Sequence, residues 1–231
     1  MRWAKLWLCC CLYALSPMAQ AGEAQALLAA LQAKGHTFDR QQYIRQVRQT
    51  GIDPQSQRYL YTGDGGDKVY NRDGSGKAFL SDIGSIILAN AKDQVLGVRL
   101  GTDRLESLME LVPYRNITSI NVGGWRAQTT AMLSSLRGIS RFKQLRELIM
   151  TDAGITHLKE LSNIDGLRYL DVSNNKLIDL SGIERHKNIL RINLSMNPLR
   201  SIRPLAGLKK LKWLTLSDNP IEDLSPLIAL T

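Results

Sequence analysis

The side chains that most often act as nucleophiles or general bases are few and scattered in this sequence. Its three histidines, His36, His157 and His186, stand far apart, and no two have the spacing of a metal-binding pair. The three cysteines occupy positions 9 to 11, and the glycines between 63 and 66 lack the Lys-Ser/Thr ending of a phosphate-binding loop. We therefore predict that the protein is not an enzyme. The alternative is a hydrolase confined to residues 22–94.

Oxygen-bearing side chains between positions 71 and 82 follow the spacing of the twelve-residue EF-hand calcium loop. The candidate Ca²⁺ ligands are Asn71, Asp73, Ser75 and Asp82. An apolar helix is predicted behind this loop, at residues 83–88. Only two of the ligands are carboxylates, so the ion would be held weakly. The alternative is a hairpin or loop whose Asp and Gly residues shape a turn, in which case no cofactor is required.

The first 21 residues have the order of a secretory signal peptide. Arg2 and Lys5 precede an apolar run, which is followed by the small-x-small triplet Ala19-Gln20-Ala21. The apolar run is shorter than the roughly 20 residues that a membrane-spanning helix needs. We predict cleavage after Ala21, export to the periplasm or the extracellular space, and no transmembrane segment in the mature chain.

Apolar residues recur at a fixed interval of 22 positions through the second half of the chain. Units that begin at Leu145, Leu167, Ile189 and Leu211 follow one another without a gap. Two earlier units begin at positions 95 and 117, and the second of these contains six extra residues between positions 122 and 133. Each unit starts with an alternating segment typical of a short strand, and no single unit can bury its apolar side alone. We therefore predict an α/β solenoid of about six stacked coils over residues 95–231.

One asparagine follows the strand in three successive units, at Asn175, Asn197 and Asn219. A short amide at a tight bend can bond the backbone of its own and of the neighbouring coil, so these residues predict a ladder of buried hydrogen bonds. Ala153 takes the same position one unit earlier, where the ladder should lack a rung.

The segments Leu194-Ser195-Met196-Asn197-Pro198-Leu199 and Leu216-Ser217-Asp218-Asn219-Pro220-Ile221 resemble the 22-residue leucine-rich repeat of bacterial internalins. The resemblance implies a leucine-rich-repeat horseshoe whose concave strand surface binds a partner. It also implies a small helical cap before the repeats, at residues 22–94. A helical pattern from Glu23 to Gly35 and a second one that ends at Gly51 fit such a cap.

Basic residues outnumber acidic residues, and the formal net charge is +9. Much of the excess lies between Arg185 and Lys212. These side chains form either solvated loops or a surface for an anionic envelope component such as a lipid or polysaccharide. Nucleic acid is not expected as a partner, because the export signal takes the chain away from it.

Outward-facing strand positions supply the candidate binding residues. The first column across neighbouring coils contains Glu147, Tyr169, Arg191 and Trp213, and the adjacent column contains Ile149, Asp171, Asn193 and Thr215. Large aromatic rings and arginine on an otherwise small polar surface are typical of a protein interface, so we predict a protein ligand here. Arg191 stacked between the two rings is an alternative that is compatible with ligand contact. Trp125, in the insertion, is predicted to add a lip to this surface.

Overall fold

The computed structural model describes residues 22–33, 77–80, 86–89, 94–100, 105, 107–122, 133 and 135–230. The chain divides into two compact units, one formed by residues 1–82 and 87–95 and the other by residues 83–86 and 96–231. No helix within these described ranges is long and apolar enough to cross a membrane.

The first unit contains helix α1 (Glu23–Ala33), strand β1 (Lys77–Leu80) and all but the first residue of strand β2 (Ile86–Ala89). Helix α1 confirms the first predicted helix, and Leu27 and Leu31 are buried as its periodicity requires. The Glu23 carboxylate accepts a hydrogen bond from the backbone N–H of Val95 at 3.1 Å. The second predicted helix, which ends at Gly51, lies outside the described residues.

The helix predicted at residues 83–88, behind the calcium loop, is wrong. Residues 86–89 form strand β2 instead. The apolar run there is short and rich in isoleucine, and periodicity alone cannot separate a buried strand from a helix in so short a run. The β-branched side chains favour the extended conformation. The candidate ligands Asn71, Asp73, Ser75 and Asp82 lie outside the described residues, so the calcium site stays a prediction.

The 22-residue repeats together form six parallel strands in one open sheet. These strands are β3 (Val95–Arg99), β4 (Ser119–Asn121), β5 (Glu147–Ile149), β6 (Tyr169–Asp171), β7 (Arg191–Asn193) and β8 (Trp213–Thr215). We number coils 1 to 6 from these strands. Ser119 pairs with Glu147 across the long second coil, 28 residues apart, in the same register as the 22-residue steps. The extra residues of coil 2 therefore leave the pairing of β4 with β5 unchanged.

Short 3-10 turns return the chain on the other side of each coil. They span Leu108–Leu111, Ile139–Arg141, Lys159–Asn163, Ile183–Arg185, Arg203–Leu205 and Ser225–Leu230. The apolar template positions of strands and turns meet in a continuous core, where Leu148, Leu170 and Leu161 have no exposed surface. Coil 6 is less covered, and Leu224 and Ile228 are 57% and 74% exposed.

The predicted asparagine ladder is present. The Asn175 carbonyl oxygen accepts from the backbone N–H groups of Ala153 and Ile155 at 3.1 and 2.9 Å, and its amide nitrogen donates to the carbonyls of Met150 and Val172 at 2.7 and 2.9 Å. Asn197 and Asn219 donate in the same way one and two coils further on, and each accepts from one backbone N–H, that of Leu177 or Leu199. Each rung therefore joins a coil to the coil before it and satisfies backbone groups that no strand pairing reaches.

The residue before each ladder position has a left-handed backbone. Asp152, Asn174, Met196 and Asp218 all have φ between 54° and 58°. Asp and Asn tolerate this conformation better than other non-glycine residues, whereas a long side chain such as Met196 is strained there. The conformation turns the chain sharply after the strand, which brings the following amide into the coil.

His186 follows the 3-10 turn of coil 4 and is completely buried. The other coils place Tyr114, Phe142, Ile164, Leu208 and Leu230 at this register position. Within the described part of the chain, neither ring nitrogen has a hydrogen-bond partner. Burial lowers the pKa of His186, and the Leu161 carbonyl, close but outside hydrogen-bond geometry, opposes this shift. The spacing of the sequence assigns no role to this histidine. The structure places its imidazole ring in a column of otherwise apolar side chains.

The H186L substitution is expected to raise the free energy of unfolding by about 1 kcal/mol at pH 8, because it removes an unpartnered polar ring from the core. The gain should grow below pH 6.5, the ordinary pKa of histidine. There the unfolded chain takes up a proton that the folded chain resists, so acid destabilises the parent protein but not the variant. Urea unfolding between pH 5 and pH 8 measures this difference. H157Q, at an exposed histidine, is the control and should change stability by less than about 0.5 kcal/mol.

Candidate functional site

Two columns of side chains run across the outward face of strands β5 to β8, and we call this surface the strand face. The parallel register pairs Glu147 with Tyr169, Tyr169 with Arg191, and Arg191 with Trp213. The second column is aligned in the same way, from Ile149 through Asp171 and Asn193 to Thr215. The structure therefore brings together eight of the nine predicted contact residues. Trp125 lies outside the described residues.

Exposure changes along the strand face from one end to the other. Glu147 and Ile149 are only 8% and 7% exposed, whereas Tyr169 is half-buried and Trp213 is 56% exposed. Counting outward positions could not detect this gradient, because it treats every outward side chain as open to solvent. The accessible part of the strand face therefore belongs to coils 4 to 6.

The exposed end of the first column is built around a cation–π contact. The Arg191 guanidinium carbon lies 3.9 Å from the centroid of the Trp213 ring. Such a contact is worth about 0.5 to 1 kcal/mol at an exposed site, so it holds both side chains in place without burying them. The predicted stacking of Arg191 on an aromatic ring is therefore present at Trp213. The opposite face of this ring is available to a ligand.

The second column is fixed by hydrogen bonds across neighbouring coils. One Asp171 oxygen accepts from the Ser173 hydroxyl at 2.7 Å, and the other accepts from the Asn193 amide at 3.1 Å. The Asn193 oxygen in turn accepts from the backbone N–H of Ser195 at 3.1 Å. These polar side chains are thus oriented before any partner arrives, which lowers the entropy lost on binding.

Glu147 lies in the buried part of the first column. Its carboxylate accepts a hydrogen bond from the Ser119 hydroxyl at 2.8 Å. Burial raises the pKa of Glu147 to about 7, and the Ser119 hydrogen bond acts in the opposite direction. Burial also raises the pKa of Tyr169 to about 12, with smaller contributions from Asp171 and Glu147. Tyr169 is therefore a neutral phenol at physiological pH, and its hydroxyl is a hydrogen-bond donor.

Ser119 and Asn121 continue the two columns into coil 2 and are also buried. The sequence analysis began the columns at Glu147 and missed both residues. The register between β4 and β5 is unbroken and aligns both residues with the columns. In the sequence they stand 28 residues before their partners rather than 22, so the constant interval does not identify them.

The described residues offer little for metal binding or catalysis. They contain no group of three or more His, Cys, Asp or Glu side chains that could hold a metal ion. His157 pairs with Glu160 at 3.0 Å on an exposed turn rather than on the strand face.

One of the repeats matches a known protein family. The sequence profile described as Leucine Rich Repeat matches residues 166–185, which span strand β6 and the following ladder asparagine. This segment is therefore a leucine-rich repeat, and the chain has the leucine-rich-repeat fold. The recurrence of this pattern at 22-residue steps and the parallel register of the coils extend that assignment to the neighbouring units.

The chain is similar to several solved structures. A leucine-rich-repeat protein of Leptospira interrogans is 26% identical with a TM-score of 0.50, over 57% of this chain and 34% of that one. Internalin C2 of Listeria monocytogenes is 18% identical with a TM-score of 0.37, over 62% of this chain and 84% of that one. The ectodomain of the receptor kinase SOBIR1 from Arabidopsis thaliana is 14% identical with a TM-score of 0.40, over 78% and 90%.

This leucine-rich-repeat chain matches only about a third of the length of the Leptospira protein. The sequence matches no functionally curated protein. Leucine-rich repeats are generally non-catalytic scaffolds for protein interactions, and they support many unrelated ligands. The function of this chain must therefore be argued from its own surface.

Proposed function

We propose that the protein is exported and binds a protein partner through the accessible part of its strand face. The observation that carries the proposal is the exposed Trp213 ring, stacked on Arg191 and aligned with Tyr169. Tryptophan, tyrosine and arginine are the residues that dominate binding energy at protein interfaces. The Trp213 ring is 56% exposed, so a partner can reach it.

The arrangement of polar and apolar groups supports a protein rather than a small molecule. The strand face is an open sheet surface with an aromatic and arginine cluster at its exposed end, beside the fixed Asp171 and Asn193 side chains. A protein interface needs such a core of rings together with directed hydrogen-bonding groups around it. The signal-peptide pattern of residues 1–21 supports a partner in the envelope or outside the cell.

The first step of the test identifies the partner in intact cells. A photo-reactive amino acid at position 213 should crosslink a protein that the same group at position 178 does not. Ile178 is the matched control, because it is an exposed apolar side chain, 69% accessible, away from the strand face. The crosslinked protein is then purified for a direct affinity measurement.

The W213A substitution is expected to weaken binding of that purified partner by at least about 30-fold, which corresponds to about 2 kcal/mol. I178A should change the affinity by less than about twofold. Calorimetric titration gives both values, and circular dichroism verifies that each variant is folded. Equal affinities for W213A and the parent protein would remove the strand face as the binding site.

A further inference from the structure

Charge is distributed unequally between the two edges of the solenoid. We call the segments that precede strands β4 to β8 the entry edge, at residues 112–118, 140–146, 162–168, 184–190 and 206–212. The entry edge contains ten basic residues and only Asp165 and Glu184 as acids. The basic residues are Arg115, Arg141, Lys143, Arg146, Arg168, Arg185, Lys187, Lys209, Lys210 and Lys212. All ten are exposed.

The segments that follow strands β5 to β8 have the opposite balance. Residues 150–158, 172–180, 194–202 and 216–224 contain five acidic residues and only Lys176 and Arg200 as full cations. The basic excess that the sequence places between Arg185 and Lys212 is therefore only part of the surface. Folding adds Arg141, Lys143 and Arg168 to it from earlier coils.

Two neighbouring grooves lie on the entry edge. One, of about 490 Å³, is lined by Arg115, Ser140, Arg141, Lys143 and Asn163. The other, of about 310 Å³, is lined by Lys143, Arg146, Asp165, Gly166, Arg168 and Asn188. Lys143 belongs to both, so the two grooves adjoin, and their lining residues come from coils 1 to 4. Adjacent parallel strands are about 4.8 Å apart, and these grooves therefore present one or more cations every few ångströms.

Several of these cations are held in position by the backbone. The Lys143 ammonium donates to the Asn163 carbonyl at 2.9 Å, and the Arg146 guanidinium donates to the Leu145 carbonyl at 3.2 Å. A Cβ at Gly166 would lie 1.6 Å from that guanidinium. Arg146 can therefore occupy this position because residue 166 has no side chain. Among the described residues, none of the groove cations forms an ion pair. Their charge is available to an external anion.

We propose that the entry edge binds a linear anionic polysaccharide whose repeated carboxylate or sulfate groups contact the groove cations. Guanidinium groups bind both kinds of anion through paired hydrogen bonds. Ser140, Asn163 and Asn188 lie beside the cations and supply the uncharged donors and acceptors that sugar hydroxyls need. This site is separate from the strand face and goes beyond the proposed protein interaction.

The composition of the entry edge argues against the other large polyanions. Binding of single-stranded nucleic acid uses exposed aromatic rings on which bases stack. Tyr114 and Phe142, the aromatic residues of these segments, are buried at 8% and 0% exposure. Attachment to a lipid surface combines basic with exposed apolar side chains. Within the described residues, the large apolar side chains that are exposed all lie outside the entry-edge segments.

The test compares two variants with the same loss of charge. The entry-edge variant carries R141Q, K143Q and R168Q, and the control carries K176Q, R200Q and R203Q at exposed positions elsewhere. Binding is measured by calorimetry in 0.15 M salt to polygalacturonate, which carries carboxylates, and to heparin, which carries sulfates. Neutral dextran, single-stranded poly-dT and phosphatidylglycerol vesicles are the comparison ligands.

The parent protein should bind at least one of the two charged polysaccharides and not dextran. The entry-edge variant should bind it at least about tenfold more weakly, while the control and W213A stay within about twofold of the parent. The preferred polymer then distinguishes carboxylate from sulfate. The proposal is overturned if neither polysaccharide binds, if both triple variants lose affinity equally, or if poly-dT or the vesicles bind more tightly. Retained binding by W213A separates this outcome from the fate of the protein-partner proposal.

Discussion

The N175A variant is expected to lose about 3 kcal/mol or more of unfolding free energy, because alanine leaves several buried backbone groups without partners. The Asn175 amide satisfies the N–H groups of Ala153 and Ile155 and the carbonyls of Met150 and Val172. Coil 3 has alanine at the equivalent position, so it cannot compensate. Urea unfolding followed by circular dichroism measures the loss.

Alanine substitutions at two further asparagines are expected to give smaller losses of stability than N175A. N188A, at an exposed residue of the same coil, should change stability by less than about 0.5 kcal/mol. Asn219 accepts from one backbone N–H, that of Leu199, rather than from two, and it is half-buried in coil 6, so N219A should fall between the two. Hydrogen exchange in N175A should be faster at the Ala153 and Ile155 amides than at distant coils, since repeats unfold locally. A loss of stability in N175A no larger than in N188A would contradict a structural role for the ladder.

The E147Q variant is expected to be more stable than the parent protein by about 3 kcal/mol at pH 8 and nearly equal to it at pH 4. Burial raises the pKa of Glu147 from 4.5 to about 7 in the folded chain. Between these values the folded chain keeps a proton that the unfolded chain releases, so the stability of the parent protein falls as pH rises. Glutamine has no charge to bury, and its oxygen can still accept the Ser119 hydrogen bond.

Stability curves measured from pH 4 to pH 8.5 test this expectation. E222Q is the control, because Glu222 is an exposed carboxylate whose side chain lies 3.9 Å from Arg200 in a solvated pair. Its curve should parallel that of the parent protein. A constant difference between E147Q and the parent at all pH values would show that the Glu147 carboxyl has an ordinary pKa.

The state of Glu147 also affects the strand face. Near pH 7 the carboxyl is partly protonated, and its charge is one of the influences that raise the pKa of Tyr169. Tyr169 in turn pairs in register with Arg191. The buried end of the first column therefore contributes charge and hydrogen bonding to the site, while the exposed end contributes the contact surface. This division explains why the column contains residues of such different character.

Local patterns were sufficient where each residue has the same neighbours in every coil. The 22-residue interval predicted the strands, the core positions and the asparagine ladder, because one coil packs on the next in a constant register. Helix α1 followed from its own periodicity. The pattern was ambiguous at residues 86–89, where a short apolar run fits either a helix or a strand, and the strand is what forms.

What the sequence alone determined is the repeat, its register and the alignment of Tyr169, Arg191 and Trp213, since these depend on spacing along the chain. Only the tertiary structure decided which of the aligned side chains are exposed, why His186 lies in an apolar column, and how cations from five segments meet on one edge. Exposure and electrostatic environment depend on atoms that are distant in the sequence. A periodic pattern states where a side chain points, but it does not state what covers it.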